Sequence, residues 1–284
     1  MSDFENVSWD IVVTPERKWY ELNLKEVFRY KDLIYLFVKR NFVSQYKQTV
    51  LGPLWFIINP LLTSFISTII FGNIAHIESE GVPYFLFYLT GYCLWNYFST
   101  CVNNTAATFT ENAGIMGKVY FPRLTMPISS VVFSAVNMLI VFALILITMF
   151  FYSLKGCVIC PNWTLVFIPL YMLQTAALGL GVGIIVSALT TKYRDLLVLV
   201  GFGLSLWMYL TPVVYPISTV DGLLGTLIMI NPMSSIIQNL KYALLGVGSF
   251  EFTFWLLSIA TTIALDLLGI LLFNKVEKTF MDTV

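Results

Sequence analysis

Charge in this chain is confined to short islands. Between them lie runs without Asp, Glu, Lys or Arg at 48–77, 82–110, 124–154, 156–191, 196–220, 222–240 and 252–265. A helix that crosses a bilayer core needs about 20 consecutive, mostly apolar residues, and most of these runs supply them. Residues are 58% hydrophobic and 11% charged, and mean hydropathy is +0.81. Such a chain reads as an integral membrane protein of the all-α class. Sixteen basic residues balance sixteen acidic ones, so no net charge draws it to nucleic acid.

Spanning helices are expected at 51–74, 83–105, 128–152, 164–188, 197–215 and 253–274. Six spans return the chain to its starting side, and the positive-inside rule identifies that side. It holds the eight basic residues of the N-terminal segment together with Lys118, Arg123, Lys192, Arg194, Lys275 and Lys278, leaving only Lys155 and Lys241 opposite. The first 50 residues contain no short apolar core followed by a small-residue cleavage site. The expected organisation is a cytoplasmic N-terminal segment (1–50), a six-span domain (51–274) and a cytoplasmic tail (275–284), both termini being cytoplasmic.

A seventh span at 222–240 would also satisfy the charge rule. Gly222, Gly225, Asn231, Pro232, Ser234, Ser235, Gln238 and Asn239 argue against it, because they would strand polar groups in lipid. This segment reads as a re-entrant or surface helical pair at the outer mouth of a path, with Asn231, Pro232 and Gln238 as gate residues; an ordinary external loop is the alternative. Residues 25–47 mix Val27, Phe28, Leu33, Phe37, Phe42 and Val43 with Lys31, Lys39, Arg40 and Lys47, the composition of a helix lying in the membrane interface. Gly52 and Pro53 then permit the turn into the first span.

Several chemistries are unsupported. One His and four Cys are too few for most metal centres, and no metal or cofactor site is expected. No G-x-x-x-x-G-K-[ST] phosphate loop occurs: Gly117-Lys118 is followed by Val119, and Lys278-Thr279 lacks the upstream glycine. This chain is therefore not expected to hydrolyse nucleotide, nor does it show a nucleophile, base and orienter for a hydrolase. Among ionisable residues only Asp266 falls within a span, with Thr262 four residues earlier as a possible donor to it. An ion-coupled carrier centred on Asp266 is one reading, and structural pairing of Asp266 is the other.

The spans offer aromatic and neutral polar faces instead. Trp55, Asn59, Thr63 and Ser67 recur every four residues on the first, and Tyr84, Tyr88, Tyr92 and Asn96 on the second, with Trp95 and Tyr97 beside them. Aromatic planes cover sugar C–H surfaces while Asn, Ser, Thr and Tyr exchange hydrogen bonds with hydroxyls; interfacial anchoring and helix glue are the competing roles. Gly179, Gly183 and Ser187 allow a close helix crossing. Cys157 and Cys160 lie in an outer loop where a small disulfide could close, and Cys93 and Cys101 read as buried apolar residues. Two inner loops, 106–127 with Glu111, Asn112, Gly117, Lys118, Tyr120 and Arg123, and Lys192-Tyr193-Arg194-Asp195, are candidate docking surfaces for a cytoplasmic partner.

Three blocks in this order carry a family resemblance: RNFVSQYKQTVLGPLW from Arg40 to Trp55, KVYFPRLTMP at 118–127, and KYRDL at 192–196 followed by WMYLTPVVYP at 207–216. The chain resembles the membrane subunit of type-2 ABC exporters for bacterial polysaccharides, which move O-antigen, capsule and teichoic acid, over about residues 25–278. The resemblance implies a six-helix half-transporter in the bacterial inner membrane, dimerising with a second copy around a central channel. A separate ATPase in two copies would use ATP and Mg, and a lipid-linked polysaccharide would be the cargo. It further implies that residues 106–122 form a coupling helix, that short gate helices lie between the fifth and sixth spans, and that aromatic residues near the channel, including Trp207 and Tyr215, guide the glycan. An exporter of a small amphipathic lipid or drug is the nearest alternative.

Overall fold

The computed structural model describes residues 24–47, 49–116, 121–190, 193 and 195–280, and among these there are helices and no strand. Helices α1 (Leu24–Arg29) and α2 (Lys31–Tyr46) come first. A 3-10 turn at Gly52–Leu54 leads into α3 (Trp55–Ser67), which continues as π-helical turns over Thr68–Ile74. There follow α4 (Tyr84–Ala106), the short α5 (Thr108–Met116), α6 (Thr125–Leu154), a 3-10 turn at Trp163–Phe167 running into α7 (Ile168–Thr190), and α8 (Leu196–Tyr209). The last elements are α9 (Gly222–Ile230), α10 (Pro232–Leu245) and α11 (Phe252–Phe280).

Four stretches among the described residues are long and apolar enough to cross a bilayer: Gly52–Ile74, Thr125–Leu154, Trp163–Thr190 and Phe252–Phe273. The pair α9 and α10, bent by 94°, makes a fifth if counted as one broken span. A count of six rests instead on α4 and α8. α4 has 23 residues, about 35 Å at ~1.5 Å per residue, but its Tyr, Asn and Thr content lowers its hydropathy. α8 has 14 residues, about 21 Å. It ends at Tyr209 rather than at 215, as the sequence reading had it, because Pro212 and Pro216 lack the amide hydrogens that a continuing helix needs.

α4 is the hub of the bundle, in contact with α3, α5, α6, α7, α8 and α10. Leu86, Leu89, Leu94, Phe98, Cys101 and Val102 are wholly buried along it. Its crossing with α7 is tight because glycine lines the seam. A Cβ at Gly179 would stand 2.7 Å from the Cβ of Cys101, and one at Gly183 would stand 2.6 Å from that of Thr105. The small residues expected to pack thus have a named partner, and close backbone approach replaces the hydrophobic drive that lipid does not supply. On the other flank α7 packs along α11.

α2 lies against α6. Its Phe37 joins Phe121, Met126, Ile184 and Phe273 in a small separate core, 5.8 Å from the Phe121 ring. Tyr35, Leu36 and Val43 stay exposed beside Lys39 and Arg40. The expected helix in the 106–127 loop is α5, and the bent pair at 222–240 is α9 with α10.

A polar groove as candidate functional site

Each polar position in the bundle follows from helical periodicity. On α4 Tyr92, Trp95, Asn96, Ser99, Thr100 and Asn104 share one face; on α6 Ser129, Ser130, Phe133 and Asn137 do so. On α2, Arg40, Asn41, Ser44 and Gln45 fall on adjacent turns. These faces enclose three linked hollows.

The innermost, about 430 Å³, lies between α2, α5, α4 and α6; Arg40, Asn41, Gln45, Asn104, Asn112 and Asn137 are among its walls. The middle one, about 110 Å³, is bounded by Gln45, Trp55, Phe56, Asn59, Pro60, Tyr92, Asn96 and Asn137. The third, about 320 Å³, lies between Tyr92, Trp95, Asn96 and Ser99 of α4 and Leu204, Ser205, Met208 and Tyr209 of α8. Gln45, Phe56 and Asn137 are common to the first two, and Tyr92 and Asn96 to the last two, so the hollows adjoin as one groove running from α5 along α4 to α8.

Several of its groups bond one another or the backbone. Arg40 donates from Nη2 to Asn112 Oδ1 at 3.0 Å and to Asn41 Oδ1 at 3.2 Å. Tyr92 donates to Asn96 Oδ1 at 3.4 Å, and Asn104 Nδ2 to Ser134 Oγ at 3.3 Å. The buried Oδ1 of Asn137 has no hydrogen-bond partner within the chain. That absence of a partner holds among the described residues; a buried acceptor without one is costly to keep, and Asn137 stands in the walls of two of the hollows. Among the described lining residues only Arg40 and Glu111 carry full charges, both at the inner end. The chemistry available is that of neutral donors and acceptors flanked by aromatic planes.

The residues singled out in the sequence divide. Trp55, Asn59, Tyr92 and Trp95 line the groove, and Glu111 and Asn112 line its inner hollow. Thr63 donates to Asn59 O at 2.8 Å on the same helix. Ser67 and Tyr88 are buried between α3 and α4, Tyr88 being stacked on Tyr92 at 5.8 Å. Tyr84 is buried with its hydroxyl donating to Val214 O at 2.5 Å. Trp207 packs edge-on against Phe98 at 5.5 Å and Trp95 at 6.3 Å, and Tyr215 donates to Tyr209 O at 3.2 Å. Arg123 is buried near the inner surface, and Asp195 precedes α8, its carbonyl accepting from the amides of Val198 and Leu199. Gly117, Lys118, Tyr120, Lys192 and Arg194 lie outside the described residues.

The three gate residues belong to α10. Asn231 caps it, Oδ1 accepting from Met233 N at 3.2 Å while Nδ2 donates to Thr211 Oγ1 at 2.9 Å. Pro232 takes the first helical position, where a missing amide hydrogen is harmless. Gln238 is buried against Gly248.

One expectation is corrected. Thr262 donates to Ser258 O at 2.7 Å and not to Asp266, because a threonine in a helix can satisfy its hydroxyl on the preceding turn. Asp266 presses on α7, where a Cβ at Gly181 would meet its Oδ1 at 2.5 Å, and it does not line the groove. Lys241, read from the sequence only as one of two basic residues on the outer side, is a buried residue of α10. Cys157 and Cys160 are free thiols, and Cys93 and Cys101 are buried.

Sequence reading passed over Gln45, Asn104, Ser129, Ser130 and Asn137. The signal for the last three was present: they are polar positions on one helical stripe inside the otherwise apolar run 124–154.

A helical membrane bundle with a polar groove along its length is the build of a multi-pass transport component. Residues 32–245 match the family of ABC-2 type transporters, and the chain belongs to that family. Similar curated proteins include two O-antigen export system permease proteins RfbA of Klebsiella pneumoniae. One is 29% identical over 252 residues, covering 88% of this chain and 94% of the relative. The other is 28% identical over 251 residues, with the same coverage. The protein of the same name from Myxococcus xanthus is 29% identical over 218 residues, covering 76% of this chain and 81% of the relative.

Proposed function

We propose that this chain is the membrane subunit of an ATP-driven exporter that moves a lipid-linked polysaccharide, O-antigen or a close analogue, out across the bacterial inner membrane. The observation that carries this reading is the continuous groove of Asn, Gln, Ser, Thr and aromatic side chains from Arg40 to Tyr209. Neutral hydrogen-bonding groups beside aromatic planes suit a hydroxyl-rich cargo that must slide without being held, and the names of the three relatives point to the same cargo.

In this reading the chain has six spans with both termini in the cytoplasm, and two copies set their grooves face to face to enclose the path. Trp55 and Tyr209 in the groove walls are exposed in the single chain, and a second copy would cover them. Two copies of a separate ATPase, using ATP and Mg, would seat α5 and the 192–195 loop. ATP-driven closure of the ATPase pair would then move α5, and with it the inner wall of the groove, so that glycan advances outward. The chain itself would bind no cofactor.

The test is reconstitution of the chain with its ATPase in proteoliposomes carrying lipid-linked glycan. Replacing Asn59, Asn96 and Asn137 together by Leu should abolish glycan translocation while the ATPase still assembles and turns over. If no ATPase associates with the intact chain, or if the triple variant translocates glycan normally, the proposal fails. Retained export of a small amphipathic lipid with no glycan movement would identify the alternative cargo.

A further inference from the structure

The groove face of α4 does not end at Tyr92. One and two turns farther out the same face continues through Tyr88 and, at its edge, Tyr84, and Tyr84 is covered. The covering segment is Thr211–Val214, the proline-broken stretch that follows α8, and each of its residues is buried. It has left helical geometry, so its carbonyls need donors from elsewhere. Side chains supply them. Tyr84 donates to Val214 O at 2.5 Å, and Lys241 Nζ donates to Pro212 O at 2.6 Å and Val213 O at 3.1 Å. The remaining direction around the ammonium is closed by the face of Phe87, 3.4 Å from Nζ to the ring centroid. The side chain of Thr211 is engaged by Asn231.

The fit leaves no slack. A Cβ at Gly91 of α4 would lie 3.1 Å from Lys241 Cε and 3.2 Å from Val213 Cα, so the segment and the lysine lie against bare backbone. α10, which carries the lysine, is fixed at both ends. Ser258 donates to Pro232 O at 2.9 Å, and Gln174 joins Ser258 at 2.8 Å to the Trp255 indole at 3.0 Å. At the far end Asn162 donates from Nδ2 to Tyr242 O and from its amide to Ala243 O, both at 3.0 Å. α8 is bound less tightly, with Val198, Leu199, Phe202, Leu206 and Tyr209 exposed.

We propose that Lys241 is the latch of the outer gate: its ammonium holds the Thr211–Val214 segment across the groove face of α4, and the path opens when this segment, moving with α8, leaves the lysine. This rests on the groove being the transport path. An ammonium on a flexible four-carbon stem suits such a role, because the carbonyls it releases can be replaced by water or by cargo hydroxyls. Lys241 then becomes part of the wall of the opened groove. α10 is the fixed post and α8 the moving door.

The experiment uses the full chain with its ATPase in right-side-out vesicles, with Cys157 and Cys160 replaced by Ser and a reporter thiol at Ser205→Cys. A membrane-impermeant maleimide added outside reads opening as a labelling rate. Lys241→Met should raise that rate about tenfold without ATP, and should leave extraction, chromatographic profile and ATPase association unchanged. Gly91→Ala keeps the charge but wedges the lysine from Val213, and should raise it in the same direction. A well-assembled Lys241→Met chain that labels at the parent rate overturns the latch. If that variant does not accumulate, an unchanged rate in Gly91→Ala overturns it. If Ser205→Cys in the parent is not labelled during ATP turnover either, the groove is not the path, and the proposed function fails with the latch.

Discussion

The Arg40 guanidinium on the interface helix lies 3.0 Å from the side-chain oxygen of Asn112 on α5. The two residues are 72 apart in sequence and stand across the mouth of the inner hollow. Arg40 also rests on the Phe37 ring at 4.9 Å, which orients it toward α5. The bond is a direct side-chain link between α2 and α5, the helix proposed to receive force from the ATPase.

If that link transmits force, Arg40→Ala and Asn112→Ala should each uncouple ATP turnover from transport, and the double variant should be no worse than the worse single one. The stability change should be small, about 1 kcal/mol or less, because the pair is solvent-accessible. Measuring ATPase and translocation rates for the two single variants and the double variant decides it; additive losses would argue against a shared link.

Asn137 supplies a separation of function from stability. Its buried Oδ1 has no partner among the described residues, so Asn137→Leu removes an unsatisfied acceptor. Thermal stability should hold or rise, by up to about 1–3 kcal/mol, while glycan transport falls severalfold. Loss of the midpoint together with activity would mean that Asn137 is structural.

The α4–α7 seam should be the most substitution-sensitive part of the bundle. Gly183→Val drives a branched side chain into Thr105 and Val102, and overpacking of this kind costs about 1–3 kcal/mol. Gly114→Ala, where a Cβ meets nothing within 4 Å, is the control. Thermal midpoints of the two purified variants should differ by several degrees, and equal midpoints would contradict the close crossing.

Asp266→Asn should leave transport within about twofold of the parent, since the side chain packs on Gly181 and the groove contains none of its atoms. Abolished transport with unimpaired ATPase turnover would revive the ion-coupled reading.

Fold class was legible because spanning helices declare themselves by length and by exclusion of charge, and Asn231 and Pro232 mark the start of α10 by ordinary capping chemistry. The groove was half legible. Asn59 and Tyr92 stood out by spacing, yet Ser67, Tyr84 and Tyr88 share the same periodicity and are buried, Ser67 and Tyr88 between α3 and α4 and Tyr84 under Val214. A four-residue repeat specifies a face of a helix but not the neighbour that covers it.

Lys241 shows where reading from sequence stops. A lone charge between two apolar runs has the local pattern of a surface loop, and burial became affordable only because Pro212, Val213, Phe87 and Gly91, distant in sequence, converge to receive it. The sequence by itself determined membrane residence, helix positions and the break after α8, because each depends on local hydropathy or proline chemistry. Tertiary structure alone decided which polar faces meet as a groove, which are sealed, and which carbonyls a buried ammonium holds, because those depend on partners that helix packing brings together across the whole chain.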